Sequence, residues 1–226
     1  MRLPDLPILH EDNHLLVVDK PAGLLSQADL GGDLDVLTLA REIIKRRDGK
    51  PGNVYLGLVH RLDRPVAGVM VLAKTSKAAG RLARMFRQRE TRKIYLAVVL
   101  GLPDPPAAPL THRLVRDRPR RLTRIAASGE EGREARLAYR VLETRADRSL
   151  VEVELATGLQ HQIRAQLALD GHPVAGDRKY GAPDCLAGGP GAIALFAREI
   201  GFEHPVRRTP LHVTAPPPLH FPWDLR

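Results

Sequence analysis

Apolar residues along this chain fall into runs of two kinds. Residues 15–18 and 66–73 are short and almost unbroken, bounded by Pro, Gly or charged side chains, and predict strands buried on both faces. Residues 93–100 predict another strand, and residues 137–142 are mostly strand-like. In residues 150–155, Val151, Val153 and Leu155 alternate with Glu152 and Glu154, the pattern of a strand with one wet face. Residues 193–196 and 211–213 supply late strands. Helical spacing appears three times. Val36, Leu39, Ala40, Ile43 and Ile44 follow Asp35, a residue suited to capping, and Gly49, Pro51 and Gly52 end that run. Ala79, Leu82, Ala83 and Phe86 fall on one face of a second helix, with Lys77, Arg81 and Arg84 opposite, so an apolar stripe meets the core and a basic stripe faces a partner. Residues 160–168 read as a third helix, stopped by Gly171 and Pro173.

Strands outnumber helices and several connections are short, which predicts an α+β fold with a mixed, mainly antiparallel sheet. The 226 residues suit one domain spanning 1–226. The Pro-rich stretch 103–109 interrupts the regular pattern and opens a basic loop over about 103–133. No stretch reaches the roughly 20 apolar residues of a membrane span. The first ten residues lack the charged start and apolar middle of a secretory signal. A cytoplasmic protein is therefore expected. A single cysteine, Cys185, excludes an intramolecular disulfide and fits a reducing compartment. Monomer is the expected state, because no long exposed apolar stripe is evident.

Charge narrows the function. The formal net charge is +9, and it is concentrated. Residues 74–93 carry eight basic side chains against Glu90 alone, and residues 111–124 carry six arginines against Asp117 alone. These segments hold +7 and +5, so the remainder nets −3. An excess confined to two segments predicts a footprint for the phosphates of a nucleic acid.

Three constellations carry candidate chemistry. His10-Glu11-Asp12-Asn13-His14 fits the HExxH pattern of zinc proteases, but that chemistry needs both histidines on one helix, and this pentad runs straight into a strand. A polar turn is the plainer reading, and no metal is expected. His60-Arg61-Leu62-Asp63-Arg64-Pro65 places a carboxylate between two arginines at a strand junction, which suits either an ion-pair turn or a functional anion. Thr157-Gly158-Leu159-Gln160-His161-Gln162-Ile163-Arg164 turns through Gly158 into a helix and sets His161 and Arg164 one turn apart. On residue types alone, both later segments admit a structural role as well as a catalytic one.

Taken in order, the segments resemble a known family. Lys20-Pro21-Ala22-Gly23, His60-Arg61-Leu62-Asp63 with Gly68, Arg92-Lys93-Ile94-Tyr95, Thr157-Gly158 with His161-Gln162-Ile163-Arg164, and Gly171-His172-Pro173-Val174 with Gly176-Asp177 and Tyr180-Gly181 are similar to the motifs of RluA-type pseudouridine synthases. The resemblance runs from about residue 8 to 223. It implies a catalytic domain with a cleft across a mixed sheet, and a stand-alone member without the S4-type RNA-binding domain common in the family. Two positions depart from the pattern: Val66-Ala67 replaces the usual Thr-Ser, and Leu159 replaces an arginine.

The resemblance also implies roles. Asp63 is the nucleophile or charge stabiliser at the ribose carbon. Arg164 pairs with it, and Tyr95 stacks on the uracil and serves as base. Arg61 holds the space left by a flipped nucleotide. Candidates for RNA binding are Arg64, Lys77, Arg81, Arg84, Arg92 and Lys93, then Arg113, Arg116, Arg120 and Arg121 of the basic loop, and His161. Isomerisation involves no net redox change, so no cofactor is expected. The expected partner is structured ribosomal or transfer RNA, and the alternative is a non-catalytic RNA-binding protein on a synthase scaffold.

Overall fold

A computed structural model of the chain describes residues 6–29, 31–49, 51–182, 192–218 and 221–223, and Cys185 lies outside them. The chain divides into two units, one comprising residues 1–91 with 197–218 and the other residues 92–196 with those beyond 218. The described part is α+β, and the ladders of Ile8–Glu11 with Leu15–Lys20, Leu15–Lys20 with Ala67–Ala73, Arg92–Leu100 with Arg148–Leu155 and Ala107–Asp117 with Arg133–Arg145 are antiparallel.

The first unit contains β1 (Ile8–Glu11), β2 (Leu15–Lys20), α1 (Val36–Arg47), β3 (Gly57–Leu58), β4 (Ala67–Ala73) and α2 (Ser76–Gln88). β2 lies between β1 and β4, with Leu16 opposite both Glu11 and Leu72. Residues 15–18 are at most 1% exposed, and all of β4 is buried. A strand enclosed on both faces has no polar side to display, which explains its unbroken apolar run. α1 is capped by Asp35, whose carboxylate accepts the Thr38 N–H, and α2 by Thr75, whose hydroxyl accepts that of Ala78. The buried stripe of α2 is Ala78, Leu82 and Met85; Ala83 is exposed, so the core face is turned from the expected one.

The HExxH pentad starts at the end of β1, with His10 and Glu11 in the strand and residues 12–14 in a tight turn, and so lacks the helix that zinc-protease chemistry requires. Asp12 organises this turn: its Oδ1 accepts the N–H groups of His14 and Leu15, and its Oδ2 faces His204 Nε2 at 2.8 Å. The amides of Val206 and Arg207 donate to His204 Nδ1, which places the ring proton on Nε2, where it is donated to Asp12. Glu11 receives a fork from Arg47 at 2.6 and 2.9 Å and a hydrogen bond from Lys74 at 2.6 Å.

In the second unit β5 (Arg92–Leu100), β6 (Ala107–Asp117), β7 (Leu122–Ile125), β8 (Arg133–Arg145) and β9 (Arg148–Leu155) make an antiparallel ladder in the order β5-β9-β8-β6-β7. α3 (Gln162–Leu169) is fastened to it by Gln166, which is fully buried and donates from Nε2 to the carbonyls of Leu110 and Ala135. The basic loop expected over 103–133 is largely the β6–β7 hairpin and the start of β8. Its inward positions include His112, which meets Gln166 Nε2 at 3.0 Å, and buried Thr123, so polar residues hide the alternation that marks a strand. β10 (Leu195–Glu203) and β11 (Pro210–Thr214) form a late hairpin that from Ala197 onward belongs to the first unit, with Ile200 opposite Val213.

Gly68 has a φ of +114°, and a Cβ there would lie 2.2 Å from the Ala197 carbonyl oxygen. We expect Gly68→Ala to lower stability by about 3 kcal/mol or more, measured by chemical denaturation; wild-type stability would contradict the close approach. Acid should also act on this unit. The Arg47 hydrogen bonds lead the effects that lower the Glu11 carboxyl from 4.5 to about 2. Burial works against ionisation of Asp12, but the His14 and Leu15 amides and His204 outweigh it and set that carboxyl at about 2 as well. Both folded values lie below the unfolded ones, so their stabilisation is present above pH of about 4.5 and is lost as pH falls toward about 2. Glu11→Gln with Asp12→Asn should flatten the pH dependence of the unfolding free energy in that window, and an unchanged slope would refute the assignment.

Candidate active site

The peptide groups on both sides of Asp63 are held. Ser26 Oγ donates to the Leu62 carbonyl at 2.7 Å and accepts the Leu62 N–H at 3.1 Å. The Arg64 carbonyl accepts the Gly23 N–H at 2.8 Å and a hydrogen bond from Lys20 Nζ at 3.2 Å. The Asp63 carbonyl itself accepts the Val66 N–H, closing a turn. Upstream, His60 stacks on Phe86 at 4.7 Å and accepts the Val71 N–H on Nε2. The backbone is thus set residue by residue, and Asp63 itself is half-buried. Arg61 beside it is exposed; Arg64 instead bonds Gly23 O and Asp33.

Lys20 is 0% exposed, and its ammonium donates to the carbonyls of Pro21, Leu24 and Arg64. Three acceptors satisfy its three donors in a place that water does not reach. Burial pushes its pKa down to about 7, while the charge of Asp63 pulls it back up. The cation therefore braces the loop of Asp63 and also acts electrostatically on its carboxylate.

In the second unit Arg164 stands in the first turn of α3, 5% exposed. Asp177, 1% exposed, takes its Nε at 2.6 Å and its Nη2 at 2.9 Å. The guanidinium carbon lies 5.0 Å from the centre of the Tyr180 ring. Asp177 flanks and Tyr180 ends the short 3-10 turn Arg178–Tyr180, so one turn supplies both the anion and the aromatic face that hold the arginine. His161, at φ 55°, precedes the helix and meets the Tyr180 hydroxyl through Nδ1 at 2.9 Å. Gln162 braces the loop before it, accepting from Thr157 Oγ1 and the Leu159 N–H and donating to the Arg136 carbonyl. Leu159 takes part through its backbone, which any residue at this position offers. Val66 and Ala67 are buried at 3% and 6% exposure, where the usual hydroxyls would need partners.

Tyr95 lies on β5, half-buried and opposite Val153. The expected RNA contacts divide by exposure. Lys77, Arg84, Arg116, Arg120 and Arg121 are exposed. Arg92 lies 3.8 Å from Glu154, and Arg113 donates to the Gly132 carbonyl. Arg81 is half-buried and donates to the Pro205 carbonyl at 2.6 Å, while Lys93 is only 9% exposed, so neither is a simple surface charge. Sequence reasoning assigned no role to Lys20, Ser26, Asp177 or Tyr180. For three of them the signal lay in the Lys20-Pro21, Gly176-Asp177 and Tyr180-Gly181 motifs, and Ser26 left none.

Comparison with known proteins agrees with these motifs. The profile of the RNA pseudouridylate synthase family matches residues 14–169. The chain is 35% identical over 219 residues to the dual-specificity RNA pseudouridine synthase RluA of Escherichia coli K12, covering 94% of each. It is also 35% identical to ribosomal large subunit pseudouridine synthase D of Xylella fastidiosa, covering 94% of this chain but 66% of that one. Among solved structures, human RNA pseudouridylate synthase domain containing 4 superposes with a TM-score of 0.80 at 27% identity, over 95% of this chain and 90% of that one. No described helix is long and apolar enough to cross a membrane. With its motifs in order, its fold shared and a relative matched almost end to end, the chain belongs to the RNA pseudouridylate synthase family.

Proposed function

We propose that this chain isomerises uridine to pseudouridine in structured ribosomal or transfer RNA, with Asp63 at the reacting carbon. The observation that carries the assignment is the clamped turn: Leu62 and Arg64 are fixed by Ser26, Gly23 and Lys20, and the aspartate between them is only half-buried. A preorganised anion of this kind suits attack on, or stabilisation of, positive charge developing at C1′.

The N1 to C1′ bond breaks, the uracil turns, C5 bonds to C1′, and the C5 proton leaves as N1 gains one. Asp63 meets the developing charge. Tyr95 stacks on the base and accepts the C5 proton, and Arg164 is the cation assigned to the Asp63 carboxylate. Flipping the uridine out of a stack costs a few kcal/mol. Arg61 holds the vacated space, and exposed cations of α2 and the β6–β7 hairpin supply phosphate contacts that offset the cost. The names of the relatives support an RNA target, since the Xylella protein is named for the large ribosomal subunit and the E. coli protein for dual specificity. One catalytic domain, working as a monomer in the cytoplasm, completes this reading.

Asp63→Asn should reduce pseudouridine formation by about a thousandfold or more while RNA affinity stays within about threefold. The check is chemical mapping of pseudouridine alongside filter binding, and turnover near wild type would refute the role of Asp63. Replacing Arg116 and Arg120 together by Ala should raise KM for RNA by about tenfold. It should also reduce the slope of log affinity against log salt by about 1.5 to 2. An unchanged slope would exclude the hairpin from phosphate contact.

A further inference from the structure

The two ends of Tyr180 contact different things. Its ring lies against the Arg164 guanidinium, at 5.0 Å from the centroid. Its hydroxyl accepts the Thr123 N–H at 2.8 Å and meets His161 Nδ1 at 2.9 Å. Thr123 belongs to β7, the return strand of the arginine-rich hairpin, and is 5% exposed. Two more bonds join the same elements: Lys179 Nζ donates to the Arg121 carbonyl at 3.1 Å, and Thr123 Oγ1 donates to the Gln160 carbonyl at 2.8 Å. The hairpin is therefore tied to the 178–180 turn and to the approach of α3, the two segments that set Arg164 through Asp177 and Tyr180.

An arginine held only by its own ion pair would need no such connection. Asp177 already provides a buried bidentate partner, and an apolar ring would pack against the guanidinium as well as a phenol does. The hydroxyl adds two contacts the ring does not make: it accepts the backbone N–H of Thr123 in the hairpin and meets His161 Nδ1, and only the first reaches the hairpin. Thr123 N–H is a donor on a buried residue opposite Arg116, one pair from the turn, so its bond is costly to lose and holds the tip of the hairpin at a defined distance from Arg164.

We infer that Tyr180 is a positioning residue that couples the seat of RNA on the β6–β7 hairpin to the setting of Arg164, through its hydroxyl on one side and its ring on the other. The inference rests on the assignment of the hairpin to RNA and of Arg164 to the reaction. RNA drawn onto Arg116 and Arg120 would hold the hairpin in the position that Thr123 reports to Tyr180, and a displaced hairpin would release the tyrosine that packs on the catalytic arginine.

Tyr180→Phe keeps the ring and removes the hydroxyl, so a thermodynamic cycle with the hairpin tests the coupling. In the parent protein Tyr180→Phe should raise KM for RNA by about fivefold, the scale of one hydrogen bond. In the Arg116→Ala, Arg120→Ala background, where RNA no longer pulls on the hairpin, the same change should raise KM by less than about twofold. Tyr180→Leu, which also removes the aromatic face, should lower kcat by about tenfold in both backgrounds. A general loss of folding would move KM equally in both backgrounds and lower Tm, so melting is followed for each variant. An equal effect of Tyr180→Phe in the two backgrounds, or none in the parent, would overturn the coupling and leave the hairpin assignment intact. A double arginine variant with unchanged KM would overturn the hairpin assignment and the coupling with it.

Discussion

A lysine ammonium with no exposure to water has few ways to exist in a folded protein, and Lys20 meets that constraint with three backbone carbonyls. Removing the charge from water is expensive, so the carbonyls of Pro21, Leu24 and Arg64 must stay converged around it. The first two belong to the turn that leaves β2, and the third follows Asp63. A single cation thus makes the geometry of one segment conditional on the other. The Ser26 hydroxyl and the Gly23 amide reinforce the connection by bonding the backbone of Leu62 and Arg64, so the chain on both sides of Asp63 is fixed.

The second unit solves a comparable problem differently. Arg164 is nearly buried, and a planar guanidinium is best held by a carboxylate that matches its fork and by a flat ring below it. Both come from one short turn, which is why Gly176-Asp177 and Tyr180-Gly181 occur so close together. The charge pair does little for net stability, because desolvation offsets most of its attraction. Its effect is directional: it fixes where the arginine points. Polar residues in this unit, Gln162, Gln166, Thr123 and Thr157, serve the same end by joining strands, helix and loops through backbone groups.

The basic side chains divide in a way their density in the sequence conceals. Arg81 holds the Pro205 turn, Arg64 holds Gly23 and Asp33, Arg47 clamps Glu11, and Arg124 pairs with Glu130. Lys77, Arg84, Arg116, Arg120 and Arg121 face outward from a helix and a hairpin. Net charge describes the long-range field that attracts a polyanion, whereas a side chain's local partners decide whether it is a contact or a strut.

Much of this protein was legible in its residues. The enclosed strands β2 and β4 announced themselves as unbroken apolar runs, α1 by its spacing and cap, and the family by motifs in a fixed order that no single motif would have established. These signals are local, or are ordered along the chain, and need no coordinates. The β6–β7 hairpin was hidden because His112 and Thr123 point inward, and a polar residue facing a core cannot be told from one facing water until its partner is known. The same reason removed Lys20, Ser26, Asp177 and Tyr180 from view as actors: their hydrogen bonds reach across 36 to 57 residues in the cases of Ser26 to Leu62, Lys20 to Arg64 and Tyr180 to Thr123. Residue types and their order therefore determined the chemistry this chain is built for. Which groups hold that chemistry in place was decided only by the tertiary structure, because burial turns an ordinary polar side chain into one that must find a specific partner.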